Sequence, residues 1–138
     1  FGEEGFAPST LRPSCAIEEN ELLAIGAANT ERLYVASSYF AALTTDANLS
    51  FKERYHAHFG DRAPTLNSLG QSTYEGVHFL ASLFERGLIE RSQWKRVGRE
   101  PISYRSAREA GYAGDGMNMA PIYMARAEGH AFRVISRL

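Results

Sequence analysis

The chain has 138 residues, 44% of them hydrophobic and 22% charged, which suits one domain, or part of a larger one, with enough apolar mass for a buried core. Its 15 Lys and Arg against 16 Asp and Glu give a net charge of -1. The basic residues are scattered, which argues against nucleic acid as a direct partner because phosphate binding needs a concentrated positive surface. The single cysteine, Cys15, excludes an intrachain disulfide and a Cys/His zinc framework, and no run of about 18 apolar residues offers a membrane span.

Residues 1–14 are rich in Gly, Pro and Ser and read as an irregular lead-in. They carry neither a basic n-region nor an apolar h-region, so no signal peptide is expected there, and the absence of an initiator Met suggests a mature or truncated product. A first helix is predicted over Ile17 to Ile25, with Ser14 as its cap, Glu18 and Glu19 near its positive end, and Gly26 past its stop. Leu33 to Ser38 reads as a strand that is apolar on both sides of the alternation, which predicts cover on both faces. It delivers two adjacent aromatics, Tyr39 and Phe40, onto a loop, where side chains are free to meet a ligand.

Asp46 or Asn48 is expected to cap a second helix in which Phe51, Tyr55 and Phe59 recur every four residues, with Gly60 at its end. A third helix is predicted from about Ser68 to Arg86. Its stripe of Tyr74, Val77, Ala81 and Phe84, widened by Leu80 and Leu83, is so broad that deep burial is expected. Gly87 stops it, and a short helix over Ser92 to Val97 follows. Ile102 to Tyr104 reads as a short strand. The tail alternates in two runs, Ile122 to Ala127 and His130 to Ile135, around Glu128-Gly129, which is the pattern of a β-hairpin with Gly129 at positive φ. Strand, helices, then antiparallel hairpin describes an α/β unit with a mixed edge.

Catalytic signatures are weak. Ser72 in GQSTY sits in half a nucleophile elbow, but Tyr74 stands where the second Gly belongs, so a serine at a helix start is the competing reading. Ser72 with His78 would be the pair for a small serine hydrolase, yet six residues along one helix leave their side chains divergent. His56 and His58, two apart, cannot chelate one ion from one face. Gly114 and Gly116 make a lone GxG without a strand before it or a helix after it, read as a flexible turn. Cys15 is read as a small buried hydrophobe, and Met117 and Met119 as packing residues. No cofactor or metal is expected.

The order RPSCAIEENELLAIG, LYVASSYFAALTTDANLSFKERYHAHFG, LNSLGQSTYEGVHFLASLFERG and APIYMARAEGHAFRVI resembles the C-terminal third of type I periplasmic-binding-protein-like ligand receptors. It is most similar to the branch that holds the amide-sensing negative regulator of aliphatic amidase operons and the urea or short-chain amide binding proteins of ABC importers. Branched-chain amino acid binding proteins are more distant. The resemblance implies part of a two-lobe α/β fold with ligand in the cleft: residues 1–40 in the second lobe, the helices of 45–97 packing on the first, and 101–138 returning as strands and hairpin. Ser14 and Cys15 then fall on a cleft-facing loop, Tyr39 and Phe40 at the crossover, and Leu69 and Gln71 at the start of a helix that can face ligand.

The resemblance further implies a non-enzymatic receptor for a short amide, urea or amino-acid-like compound, periplasmic if it serves an importer and cytoplasmic if it is an amide sensor. Where amino acid receptors place an acid for the ligand ammonium, Ser14 and Cys15 carry none, which favours a neutral ligand. The implied partners are a membrane permease or a cytoplasmic regulatory protein, together with the remainder of the two-lobe domain or an oligomer mate. A structural or interaction fragment without its own pocket is the third reading, because part of a two-lobe fold exposes apolar surface.

Overall fold

Four strands drawn from the two ends of the chain make the main sheet, and the helices between them pack on it. The computed structural model describes residues 9–115 and 117–138. Residues 1–8 and Gly116, which belong to the lead-in and the GxG pair, lie outside the described residues. Strand β1 (Arg12–Ser14) is followed by α1 (Glu19–Ile25), β2 (Leu33–Ser37), α2 (Asp46–Phe59), α3 (Ser68–Glu85), α4 (Trp94–Val97), β3 (Gly111–Gly114), β4 (Met117–Met119), β5 (Tyr123–Glu128) and β6 (Ala131–Arg137).

The sheet order is β1-β2-β5-β6. β1 runs parallel to β2, with Ser14 opposite Val35, and β5 and β6 add antiparallel. β1 lies where an irregular lead-in is expected. Pro13 cannot donate to a ladder, which is tolerable because β1 is an edge strand. The hairpin matches its alternation: Tyr123, Ala125, Ala127 and Phe132 are buried, and Gly129 turns the chain at φ 65. β2 is buried at Leu33 and Val35 and half-buried at Tyr34 and Ala36, so both of its faces are covered as expected.

The caps differ from the sequence reading in detail. Glu18, not Ser14, is the N-cap of α1, and its backbone N–H donates to the Glu21 carboxylate at 3.0 Å. Ser14 Oγ instead accepts the Ala16 N–H in the bend after β1. Thr45, not Asp46 or Asn48, caps α2 by accepting the Asn48 N–H, and Asn67 caps α3 by accepting the Gly70 N–H at 2.9 Å. Gly60 and Gly87 both have positive φ just past their helices.

The principal core joins Leu22, Val35, Tyr39, Phe40, Phe51 and Phe132 with their neighbours, and Tyr74 packs against it. Phe40 and Phe132 tie the crossover to the hairpin with ring centroids 5.0 Å apart, a contact worth about 0.5–1.5 kcal/mol beyond its area. A smaller core of Leu83, Leu88 and Ile102 lies under the β3–β4 ribbon. Ile102 contributes one bridge to Tyr112 rather than a strand. Gly114 belongs to β3 rather than a flexible turn. It has φ 90, and a Cβ there would stand 3.0 Å from the Arg99 carbonyl oxygen, so only glycine fits.

The largest difference is the facing of α3. Val77, Leu80 and Phe84, expected inside, are 62%, 61% and 67% exposed, and Leu69 is 72% exposed. The buried face of α3 is instead carried by Gln71, Glu75 and Leu83.

Candidate functional site

Parallel strands β1 and β2 end side by side, and in α/β sheets the crevice beyond the carboxyl ends of such strands is where ligands bind. Three segments meet there: the β1–α1 loop, the crossover that leaves β2 at Ser38, and the first turns of α3.

Ser68, Gln71 and Glu75 fall at i, i+3 and i+7 and therefore share one face of α3. At the lower end, the Glu18 carboxylate accepts the Ser68 backbone N–H at 3.2 Å and the Ser68 hydroxyl. This ties the start of α1 to the start of α3 across 50 residues of sequence. At the upper end, Glu75 is 3% exposed and Arg108 is 9% exposed. Arg108 donates from Nε at 3.0 Å and from Nη2 at 2.7 Å to Glu75 Oε2, and Ser106 donates to Glu75 Oε1. Arg108 Nη1 reaches Ser38 Oγ, so the pair also holds the crossover.

Gln71 lies between these anchors. It is fully buried, and neither its Nε2 nor its Oε1 has a hydrogen-bond partner among the described residues. Leaving a buried donor and acceptor unpaired costs about 1–3 kcal/mol per group.

The crossover is rigidly held. Tyr39 is 1% exposed and its hydroxyl donates to Asn48 Oδ1 at 3.0 Å. Asn48, itself fully buried, donates to the carbonyls of Ala41 and Leu43. Glu19 Oε1 accepts the Ala41 N–H at 2.7 Å, and Lys52 Nζ donates to the Ala41 carbonyl at 3.0 Å. Burial pushes the Glu19 carboxyl up, against the lowering effect of the Ala41 N–H. Burial likewise raises the Tyr39 phenol, reinforced by the charge of Glu19, so that hydroxyl stays a donor.

The sequence-predicted residues are distributed as follows. Ser14 is half-buried and Cys15 exposed, in the bend after β1, so Cys15 is not the buried hydrophobe expected of it; the bend turns it out of the sheet. Tyr39 and Phe40 do not stand free on a loop. Both are core residues, because the crossover folds back under α2 and the hairpin. Leu69 and Gln71, two apart on a helix, point to opposite sides, Leu69 outward and Gln71 inward. The β1–α1 loop and the start of α3 do come together, but through Glu18 and Ser68. The sequence reading does not single out Glu18, Asn48, Glu75 or Arg108 as candidates; for Asn48 and Glu75 the available signal is an amide or charged residue on the inward face of a helix, which looks like solvated surface when the facing is unknown, and Glu18 and Arg108 lie outside the helices.

Two cavities flank this junction. One, of about 590 Å³, runs between α2 and α3 and is lined by Phe51, Tyr55, Tyr74, Asn67 and Leu69. The other, of about 310 Å³, lies beside the crossover and is lined by Glu19, Lys52, His130 and Phe132. Ser72 is exposed, and His78 packs its ring on Tyr74 at 4.5 Å; no hydrogen bond joins Ser72 to His78. Among the described residues no group of His, Cys, Asp and Glu is placed to hold a metal ion.

The sequence profile described as "Periplasmic binding protein" matches residues 1–131. The chain belongs to the periplasmic binding protein family. No curated protein matches it. In a periplasmic binding protein the mixed α/β sheet with its C-terminal antiparallel hairpin is part of a two-lobe architecture, and the role of the family is ligand binding. No helix of the described residues is long and apolar enough to cross a membrane.

Proposed function

We propose that this periplasmic binding protein chain is the small-molecule-binding component of an ABC uptake system or of an amide-responsive regulatory system, and that it recognises a short amide, urea or amino-acid-like compound by lobe closure. The observation that carries this reading is Gln71. A primary amide offers one donor and one acceptor in a plane, and its natural complement is a ligand with a carbonyl beside an N–H, as amides and ureas have. Ser68 and Glu75, on the same face of α3 as Gln71, join the helix to the β1–α1 loop and, through Arg108, to the crossover, so occupancy at Gln71 bears on how these segments sit together. A ligand shifts a two-state hinge only by its differential affinity for one state, and a buried amide satisfied in one state alone supplies that difference.

In this reading, residues 1–40 and 101–138 form second-lobe structure around the sheet, and α2 and α3 pack on the first lobe. Two observations support it. All strands of the larger sheet come from the two ends of the chain. The exposed row Leu69, Val77, Leu80 and Phe84 gives α3 an apolar face of the kind that covers further structure, whether the remainder of the two-lobe domain or an oligomer mate. The partner that reads closure is a membrane permease in the importer, which places the protein outside the cytoplasm, and a regulatory protein in the sensor, which places it inside. The role is binding rather than catalysis; Ser72 and His78 lack the contact that a nucleophile and its base need. Of the predicted contacts, Gln71 meets ligand directly, Ser14 and Cys15 border the approach to it, Leu69 faces away from it, and Tyr39 and Phe40 hold the crossover in place.

A thermal-shift screen against short amides, ureas and amino acids tests this, because a ligand bound to the folded state raises Tm by mass action. A selective rise with one class that is lost in Gln71→Leu is expected. A rise that survives Gln71→Leu unchanged, or no rise with any class, overturns the reading.

A further inference from the structure

Glu18 brings a negative charge to the start of α3, next to the unpaired amide. Two of the three N–H groups in the first turn of α3 are already taken from within the chain: Ser68 N–H by Glu18 and Gly70 N–H by Asn67. The positive end of the helix, ordinarily a place for a ligand carboxylate, is thus filled by the protein's own. Glu18 is half-buried, its backbone N–H is held by Glu21, and its two oxygens are both engaged by Ser68. No Lys, Arg or His among the described residues lies within ion-pair distance of it. Glu75, on the other side of Gln71, is neutralised by Arg108. Along the axis of α3, Gln71 is about 4.5 Å above Ser68 and about 6 Å below Glu75. The unpaired amide therefore has a carboxylate without a cation partner on the Glu18 side and a carboxylate paired with Arg108 on the other.

We propose that Glu18 is the charge-selectivity residue of the Gln71 site: it refuses carboxylate-bearing ligands and admits neutral or cationic N–H donors. The inference rests on the reading of Gln71 as the ligand-contacting amide and narrows it, removing free amino acids and other carboxylates from the candidate ligands. A ligand carboxylate arriving at Gln71 meets the like charge of Glu18, which no cation among the described residues pairs, whereas an amide, urea or amidinium N–H finds the Gln71 oxygen and the rim of the Glu18 carboxylate. Because Gln71 is fully buried, the ligand enters as α1 and α3 part, which places Glu18 at the mouth of the site as the Glu18–Ser68 contact opens.

The test uses three isosteres of one shape and different charge, acetate, acetamide and acetamidinium, titrated into the ¹⁵N-labelled full chain while the Gln71 side-chain amide signals are followed. In the wild type, acetamidinium and acetamide bind and acetate binds at least about ten-fold more weakly, as expected for a nearby like charge. In Glu18→Gln, which keeps the acceptor for Ser68 and removes the charge, the acetate penalty collapses and the preference for acetamidinium disappears. The wild-type ranking alone carries the test if the variant does not fold. Equal binding of acetate and acetamide by the wild type, or an unchanged ranking in a folded Glu18→Gln, overturns the role of Glu18 and leaves the amide reading intact. Perturbation of Gln71 by none of the three overturns both.

Discussion

Replacing Arg108 by Met should be the most damaging single change in this chain, and replacing Arg108 and Glu75 together should be far milder. The guanidinium donates two nitrogens to one oxygen of Glu75, at 3.0 and 2.7 Å, with the side chains 10% and 4% exposed. Arg108→Met leaves the Glu75 carboxylate buried with only the Ser106 hydroxyl, and an uncompensated buried charge typically costs about 3–5 kcal/mol. Against a net stability of about 5–15 kcal/mol for an ordinary domain, that is a large share. For a chain of this length about 1 kcal/mol moves Tm by roughly 3–4 °C, so a fall of roughly 9–20 °C is expected. The double variant Arg108→Met with Glu75→Leu buries neither charge and should recover most of it, because an apolar pair of similar volume is often as stable as a buried ion pair. The assay is urea unfolding of wild type, both singles and the double, with the m-value checked for constancy. A loss under about 1 kcal/mol in Arg108→Met, or a double variant as weak as the sum of the singles, would refute the reasoning.

Two further outcomes follow from the same geometry. Leu80 is 61% exposed, so Leu80→Glu should change the stability of the chain itself by no more than about 0.5 kcal/mol, yet it should break association through the α3 face. Wild type is expected to sediment above its 15.3 kDa monomer mass and the variant at it; identical profiles would count against that face as an interface. Glu19, whose carboxyl is pushed above 4.5 by burial, binds its proton more tightly folded than unfolded, so the chain loses stability as pH rises from about 4.5 through the folded-state value. Glu19→Gln keeps an acceptor for the Ala41 N–H and should raise Tm at about pH 7 with no gain at about pH 4; an equal offset at both pH values would contradict the assignment.

The hairpin, β2 and the spans of α2 and α3 were legible because each rests on local rules: alternation for the two runs around Gly129, a glycine past Phe59, a glycine past Arg86. β1 was not legible, because Arg12–Ser14 is too short to show a period and exists only through pairing with Leu33 to Val35. The caps of α1 and α2 moved by a residue or more because Ser14, Thr45, Asp46 and Asn48 all have capping side chains, and tertiary contacts chose among them. Asn48 is withdrawn from capping by its bonds to Tyr39, Ala41 and Leu43.

The facing of α3 separates what periodicity can tell from what it cannot. Periodicity finds an apolar stripe in Tyr74, Val77, Ala81 and Phe84, widened by Leu80 and Leu83, but does not say which part of it meets this structure: Leu83 is buried, whereas Val77, Leu80 and Phe84, with Leu69, are exposed. A helix with one neighbour would turn its apolar row inward, since each large side chain so buried is worth about 1.5–3 kcal/mol. α3 instead buries an amide and a carboxylate with Leu83, beside a half-buried serine, and Glu18, Ser38, Ser106 and Arg108 provide pairing for all of these polar groups but the amide. Such an arrangement is coherent if α3 lies between two bodies, with the polar row specifying the junction to this sheet and the apolar row meeting another surface. In the function proposed above, the Gln71 amide, left unpaired at that junction among the described residues, is where a ligand would gain most by binding.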